Sequence, residues 1–151
     1  MDFIKFLRVL LVGVFISGLS PNGYSQCLII VNNSKCTVFF QVFSSEKNES
    51  AKKYSSVTQS INAASSLKYY SLTDIQWLEK VPKPGVRFTA LTGMYIDPSG
   101  ACTSYASNDI GDSRYKFINE AVLNTAKCGG AYGDLKLTWS ANEKNVIVTI
   151  N

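Results

Sequence analysis

The chain has 151 residues, 46% of them hydrophobic and 17% charged, with a formal net charge of +4 and no histidine. It is long and apolar enough to bury a real core. The absence of histidine removes Ser-His-Asp and Cys-His catalysis together with the usual general base near neutral pH. The lysines are scattered, and only Lys52-Lys53 and Lys80/Lys83 come near to clustering, so the charge carries no nucleic-acid footprint.

Lys5 and Arg8 precede the apolar run Val9–Leu19, which Pro21, Asn22 and Gly23 then break. A positive start, a short apolar core and small residues at Gly23 and Ser25 describe a secretory signal cut after Ser25. The run falls short of the about 20 apolar residues that span a bilayer. A retained anchor and a lipoprotein with Cys27 at its head are the alternatives; bulky, polar Gln26 before Cys27 speaks against the second. Export removes Asp2, Lys5 and Arg8 and leaves a single domain, residues 26–151, with a net charge of about +3. The expected location is secreted, extracellular or periplasmic, with no membrane span after cleavage.

All four cysteines, Cys27, Cys36, Cys102 and Cys128, follow the cleavage site, and an even number in an exported chain reads as two disulfides. With no histidine and no Cys-x-x-Cys, zinc is not indicated, and no metal or cofactor is expected. Residues 28–31 and 37–43 are rich in Ile, Val and Phe around Asn32-Asn33-Ser34-Lys35, which predicts a tight hairpin. Residues 44–56 form a loop. Residues 57–61 and 67–72 predict a second strand pair, followed by a Thr73-x-x-Gln76 capping box and a short helical turn. Beyond Pro82 and Pro84, Val86–Ile96 is a core strand and 97–115 a long connection rich in Gly, Ser and Asp. Residues 117–123 fit helix and strand equally. Leu135, Leu137 and Trp139, then Val146, Val148 and Ile150, alternate with polar residues around 141–145, a C-terminal hairpin with Trp139 in the core. The sum is an all-β fold, an antiparallel β-sandwich of about seven short strands, immunoglobulin-like or related, with at most one or two short helices.

The start Cys27-Leu-Ile-Ile-Val-Asn-Asn-Ser-Lys-Cys36-Thr-Val-Phe-Phe and the end Leu137-Thr-Trp-Ser-Ala-Asn-Glu-Lys-Asn-Val-Ile-Val-Thr-Ile150 together resemble small exported bacterial β-sandwich proteins of unassigned function. The resemblance covers the two ends and brings no functional residues. Thaumatin-like proteins share the flavour of the opening strands but are longer and far richer in cysteine.

The available acids are Asp74 with Glu79, and Asp97 with Asp109 and Asp112. A carboxylate pair could cleave glycosides, yet Asp74 suits a helix start and Asp97-Pro98-Ser99-Gly100 a turn. Asn108–Ser113 offers oxygen ligands without EF-hand spacing and reads as a solvated turn. Among the many aromatics, Trp77, Tyr105 and Tyr115 lie in polar, loop-like surroundings and are the ligand-binding candidates. The function expected is therefore a secreted non-enzymatic binding or structural module for an extracellular protein or glycan. The alternatives are a small hydrolase with paired carboxylates and an inhibitor or effector acting on a partner.

Cysteine pairing follows from the expected topology. In a tight opening hairpin Cys27 would stand roughly 14 Å from Cys36, beyond the about 7 Å that a disulfide permits between Cα atoms. Tracing successive crossings then places Cys36 beside Cys102 and Cys27 beside Cys128.

Overall fold

The computed structural model describes residues 26–47, 49–96, 104–105, 109–128 and 131–151, with the backbone alone at 93–96, 104–105, 124–128 and 131–133. Residues 1–25, where a secretory signal is expected, and the connection around Asp97 and Cys102 lie outside the described residues. Eleven strands are present among those described: β1 (Cys27–Asn32), β2 (Val38–Ser45), β3 (Tyr54–Ser55), β4 (Gln59–Ile61), β5 (Ser65–Tyr69), β6 (Arg87–Ile96), β7 (Ser104–Tyr105), β8 (Ile110–Gly111), β9 (Glu120–Cys128), β10 (Ala131–Ala141) and β11 (Asn145–Ile150). Two single 3-10 turns cover Leu72–Asp74 and Ser113–Tyr115. Among the described residues no helix is long and apolar enough to cross a membrane.

The strands form two mainly antiparallel sheets. The first runs β5-β1-β11-β10-β9; the second runs β3-β2-β6-β7, with β4 also on β2 and β8 also on β6. In β1 and β11 alternate residues are buried: Leu28, Ile30 and Asn32, and Val146, Val148 and Ile150. With Leu135, Leu137 and Trp139, all of these but Asn32 join Val38, Phe40, Val42, Phe88, Leu91 and Ile110 of the other sheet in one hydrophobic cluster. Each such fully buried aliphatic or Phe side chain contributes about 1.5–3 kcal/mol over leaving it in water.

The C-terminal hairpin forms as the alternation requires, with Leu137 opposite Ile150 and Trp139 opposite Val148. The ambiguous run near 117–123 resolves as strand, because β9 pairs along β10 from Thr138 opposite Glu120. The β6 strand begins at Arg87, and buried Thr89 and Leu91 break its simple alternation where its register against β2 shifts.

Two expected hairpins do not exist. β1 pairs with β5 and, in parallel, with β11, whereas β2 lies in the second sheet. Likewise β4 pairs with β2 and β5 with β1, so residues 62–64 carry the chain between sheets instead of turning it back within one. Asn32 explains why both crossings hold. It is 1% exposed, its Nδ2 donates to the carbonyls of Cys36 (2.7 Å) and Asn62 (2.9 Å), and its Oδ1 accepts from Ser34 N (3.1 Å) and Ser34 Oγ (2.6 Å). The Ala64 N–H donates to Ser34 O at 3.0 Å, binding one crossing to the other. Backbone that leaves a ladder inside a protein needs such partners.

The capping box also moves: Ser71, not Thr73, caps the first 3-10 turn, accepting from Thr73 N while Asp74 accepts from Ser71 N at 3.0 Å. Cys27 is a free thiol, so the expected Cys27–Cys128 bond is not formed. Its premise, a β1–β2 hairpin followed by regular crossings, fails with the topology. Cys36 is buried and disulfide-bonded, to a partner whose side chain lies outside the described ones. The proposed Cys36–Cys102 pairing falls there too.

Candidate functional site

The end of the fold where β6 starts and β10 ends carries two adjoining clefts. Arg87 opens β6 two residues after Gly85, and β8 leads through Asp112 into the 3-10 turn at 113–115. Asn142 and Glu143 form the turn from β10 to β11. One cleft, of about 550 Å³, is lined by Arg87, Asp112, Arg114, Asn119, Trp139 and Asn142, with Ser113, Ser140, Ala141 and Glu143 at its margins. The second, of about 660 Å³, is lined by Lys47, Glu49, Gly85, Arg87, Arg114 and Tyr115. Arg87 and Arg114 belong to both.

Local structure fixes these groups. Gly111 is required where β8 approaches β6: a Cβ there would stand 2.9 Å from Ala90 Cα and closer still to Thr89 O. Asp112 follows, its N–H on Thr89 O at 2.9 Å. Its buried carboxylate caps the turn by accepting from Arg114 N (2.9 Å) and receives the Arg114 guanidinium, Nε at 2.9 Å from both oxygens and Nη2 on Oδ2. Burial pushes the Asp112 carboxyl upward, but the side-chain and backbone hydrogen bonds from Arg114 prevail and hold it below the usual carboxylate range. The same pair raises Arg114. Tyr115 donates its hydroxyl to Glu46 O at 3.1 Å, and its phenol is raised first by burial and then by the Asp112 charge.

Beneath the first cleft, Gln26 is 3% exposed. Its Nε2 donates to Asn142 O at 3.0 Å and its Oε1 accepts from Phe88 N at 3.2 Å, which joins the β10–β11 turn to β6. The Trp139 ring is 6% exposed and its indole N–H is buried without an acceptor.

The residues singled out from sequence are not gathered into one place. Tyr115 stands in the second cleft. Trp77 is a core residue, 8% exposed, its Nε1 donating to Leu72 O at 2.7 Å, and a buried ring offers no face to a ligand. Tyr105 pairs with Tyr95 through the backbone of β7, and its side chain lies outside the described ones. The acids disperse as well: Asp74 serves the 3-10 turn, Asp109 meets Lys52 and Thr92 Oγ1, and Asp112 meets Arg114. Asp109 and Asp112 thus each face a cation of the protein itself, and no group of three or more potential metal ligands occurs among the described residues. Arg87, Arg114, Asn119 and Asn142 went unremarked in sequence. The one local signal was Asp112-Ser113-Arg114, an acid two residues before the N–H that it caps.

No protein-family model matches the chain, and comparison with curated proteins and with solved structures finds no match.

Proposed function

We propose that the mature chain is an exported, non-enzymatic recognition module, a β-sandwich whose ligand sits in the paired clefts around Arg87 and Arg114. The observation that carries this reading is the cleft pair itself: two concavities that share two arginines and are built from strand ends and the turns beside them. The single hydrophobic cluster drawn from both sheets supports the sandwich. Cleavage after Ser25 fits the same reading, since it retains Gln26 under the cleft floor, whereas lipidation at Cys27 would discard it.

The alternative of a hydrolase has one observation in its favour, because Asp112 and Glu143 line the same cleft. A second carboxylate in such a pair must reach the sugar or its water; both oxygens of Asp112 are taken up by the Arg114 guanidinium, which favours binding over bond cleavage. The test is a screen of the exported protein on glycan and peptide arrays beside its Ser140→Trp variant, in which an exposed rim residue is enlarged to fill the first cleft. Retention of an array component by the wild type and its loss in Ser140→Trp, at unchanged melting temperature, is the expected result. Equal retention by both proteins would refute the location, and turnover abolished by Asp112→Asn or Glu143→Gln would refute the non-enzymatic assignment.

A further inference from the structure

We infer that the ligand of this cleft pair is an acidic oligosaccharide, with a ring carboxylate or sulfate held between Arg87 and Arg114 and neighbouring sugars extending into both clefts. The inference rests on the recognition reading above and adds its chemistry. The two clefts hold three cations, Lys47, Arg87 and Arg114, and three carboxylates, Glu49, Asp112 and Glu143, with Glu143 confined to the first cleft, so the internal pairing decides which charge is open to a ligand. Arg114 is matched by Asp112, and Glu49 lies 3.3 Å from Lys53. Arg87, by contrast, makes no ion pair or side-chain hydrogen bond among the described residues, and neither does Lys47. An unpartnered guanidinium beside a second one fixed by a buried carboxylate is a site for an oxyanion, because the planar N–H fork matches carboxylate and sulfate geometry. Asp112 also holds the Arg114 side chain in place, so less ordering entropy is lost when the ligand arrives.

The walls on either side point to a sugar rather than to an acidic peptide. Ser113, Asn119, Ser140 and Asn142 present short hydroxyl and amide groups, and Tyr115, half-buried, supplies the aromatic surface. Such a lining suits rings that carry many hydroxyls and apolar C–H faces. The exposed large apolar side chains that would seat peptide anchors, Tyr70, Leu78, Val81, Ile118, Val122 and Ile147, all lie outside both linings. The volumes, about 550 and 660 Å³, each lie in the range of small-ligand sites and together accommodate more than one sugar ring.

Calorimetric titration of the exported protein tests this with four probes: octagalacturonate, its methyl ester, a heparin octasaccharide and poly-L-glutamate. One or both acidic saccharides should bind, and which of them does so distinguishes carboxylate from sulfate. Their affinity should fall with added salt. Arg87→Glu should weaken binding about tenfold to a hundredfold, as loss of a charge-assisted pair does, while Arg87→Lys retains more. Arg87 makes no ion pair or side-chain hydrogen bond among the described residues and acts on Asp112 through its charge alone, so Arg87→Lys and Arg87→Gln, which bring no carboxylate near Asp112, should keep the wild-type melting temperature, and weaker binding by Arg87→Gln then separates lost binding from lost folding. Equal binding of octagalacturonate and its ester, binding of poly-L-glutamate alone, or binding of neither acidic saccharide would each overturn the inference. The recognition reading falls separately, if no array component is lost on Ser140→Trp.

Discussion

Replacing Asn32 by alanine should be among the most damaging single changes away from the hydrophobic core. The carboxamide makes four hydrogen bonds of 2.6–3.1 Å, two donated to Cys36 O and Asn62 O and two accepted from Ser34. Asn62 is exposed, so its carbonyl regains water. Ser34 is 8% exposed and its N–H does not, and Cys36 O loses its 2.7 Å bond. One orphaned buried N–H and one lost short bond to a buried carbonyl, at about 1–2 kcal/mol each, predict a loss of about 2–4 kcal/mol. For a domain of this size that lowers the melting temperature by about 10 °C. Urea unfolding followed by tryptophan fluorescence is a suitable assay, since Trp77 and Trp139 are both buried; the midpoint should fall with an unchanged slope. Asn32→Leu, of similar size, should be no better than alanine. Asn32→Asp should be worse at neutral pH, where a carboxylate would face two carbonyl oxygens. It should recover in acid, where the protonated form can donate one bond. A leucine variant as stable as the wild type, or an aspartate variant with no pH dependence, would show that the hydrogen bonds do not hold the crossings.

Four further outcomes are expected. Asp112 has a folded pKa below its unfolded value, so its contribution is present above the ordinary carboxylate range and disappears as pH falls through the folded pKa. The stability gap between wild type and Asp112→Asn should accordingly be flat above about pH 5 and shrink below about pH 4 in acid unfolding curves. Gly111→Ala should cost about 1–3 kcal/mol by thermal melting, because the added methyl meets the backbone of Thr89 and Ala90. Gln26→Ala should cost about 1–3 kcal/mol in the same assay by leaving Phe88 N–H unpartnered. N-terminal sequencing of the exported chain should find Gln26 first.

Periodicity determined the strands whose two faces differ. Leu135, Leu137 and Trp139 against Val146, Val148 and Ile150 define faces, and the short turn between them allows only one partner, so face and pairing were legible together. Elsewhere the alternation of apolar residues says which side is buried and nothing about which strand lies alongside. Asn32-Asn33-Ser34-Lys35 has the composition of a hairpin turn, yet the same side chains satisfy a backbone that crosses between sheets, because Asn and Ser bond whatever carbonyls and N–H groups come within reach. The parallel pair of β1 and β11 joins the two ends of the domain and leaves no local trace. The paired clefts share that origin. Lys47, Arg87, Arg114 and Asn142 come from three separate turns and the start of β6, each ordinary in its own sequence neighbourhood. Only the packing of β6, β8 and β10 at one end brings their charges and amides around a common space.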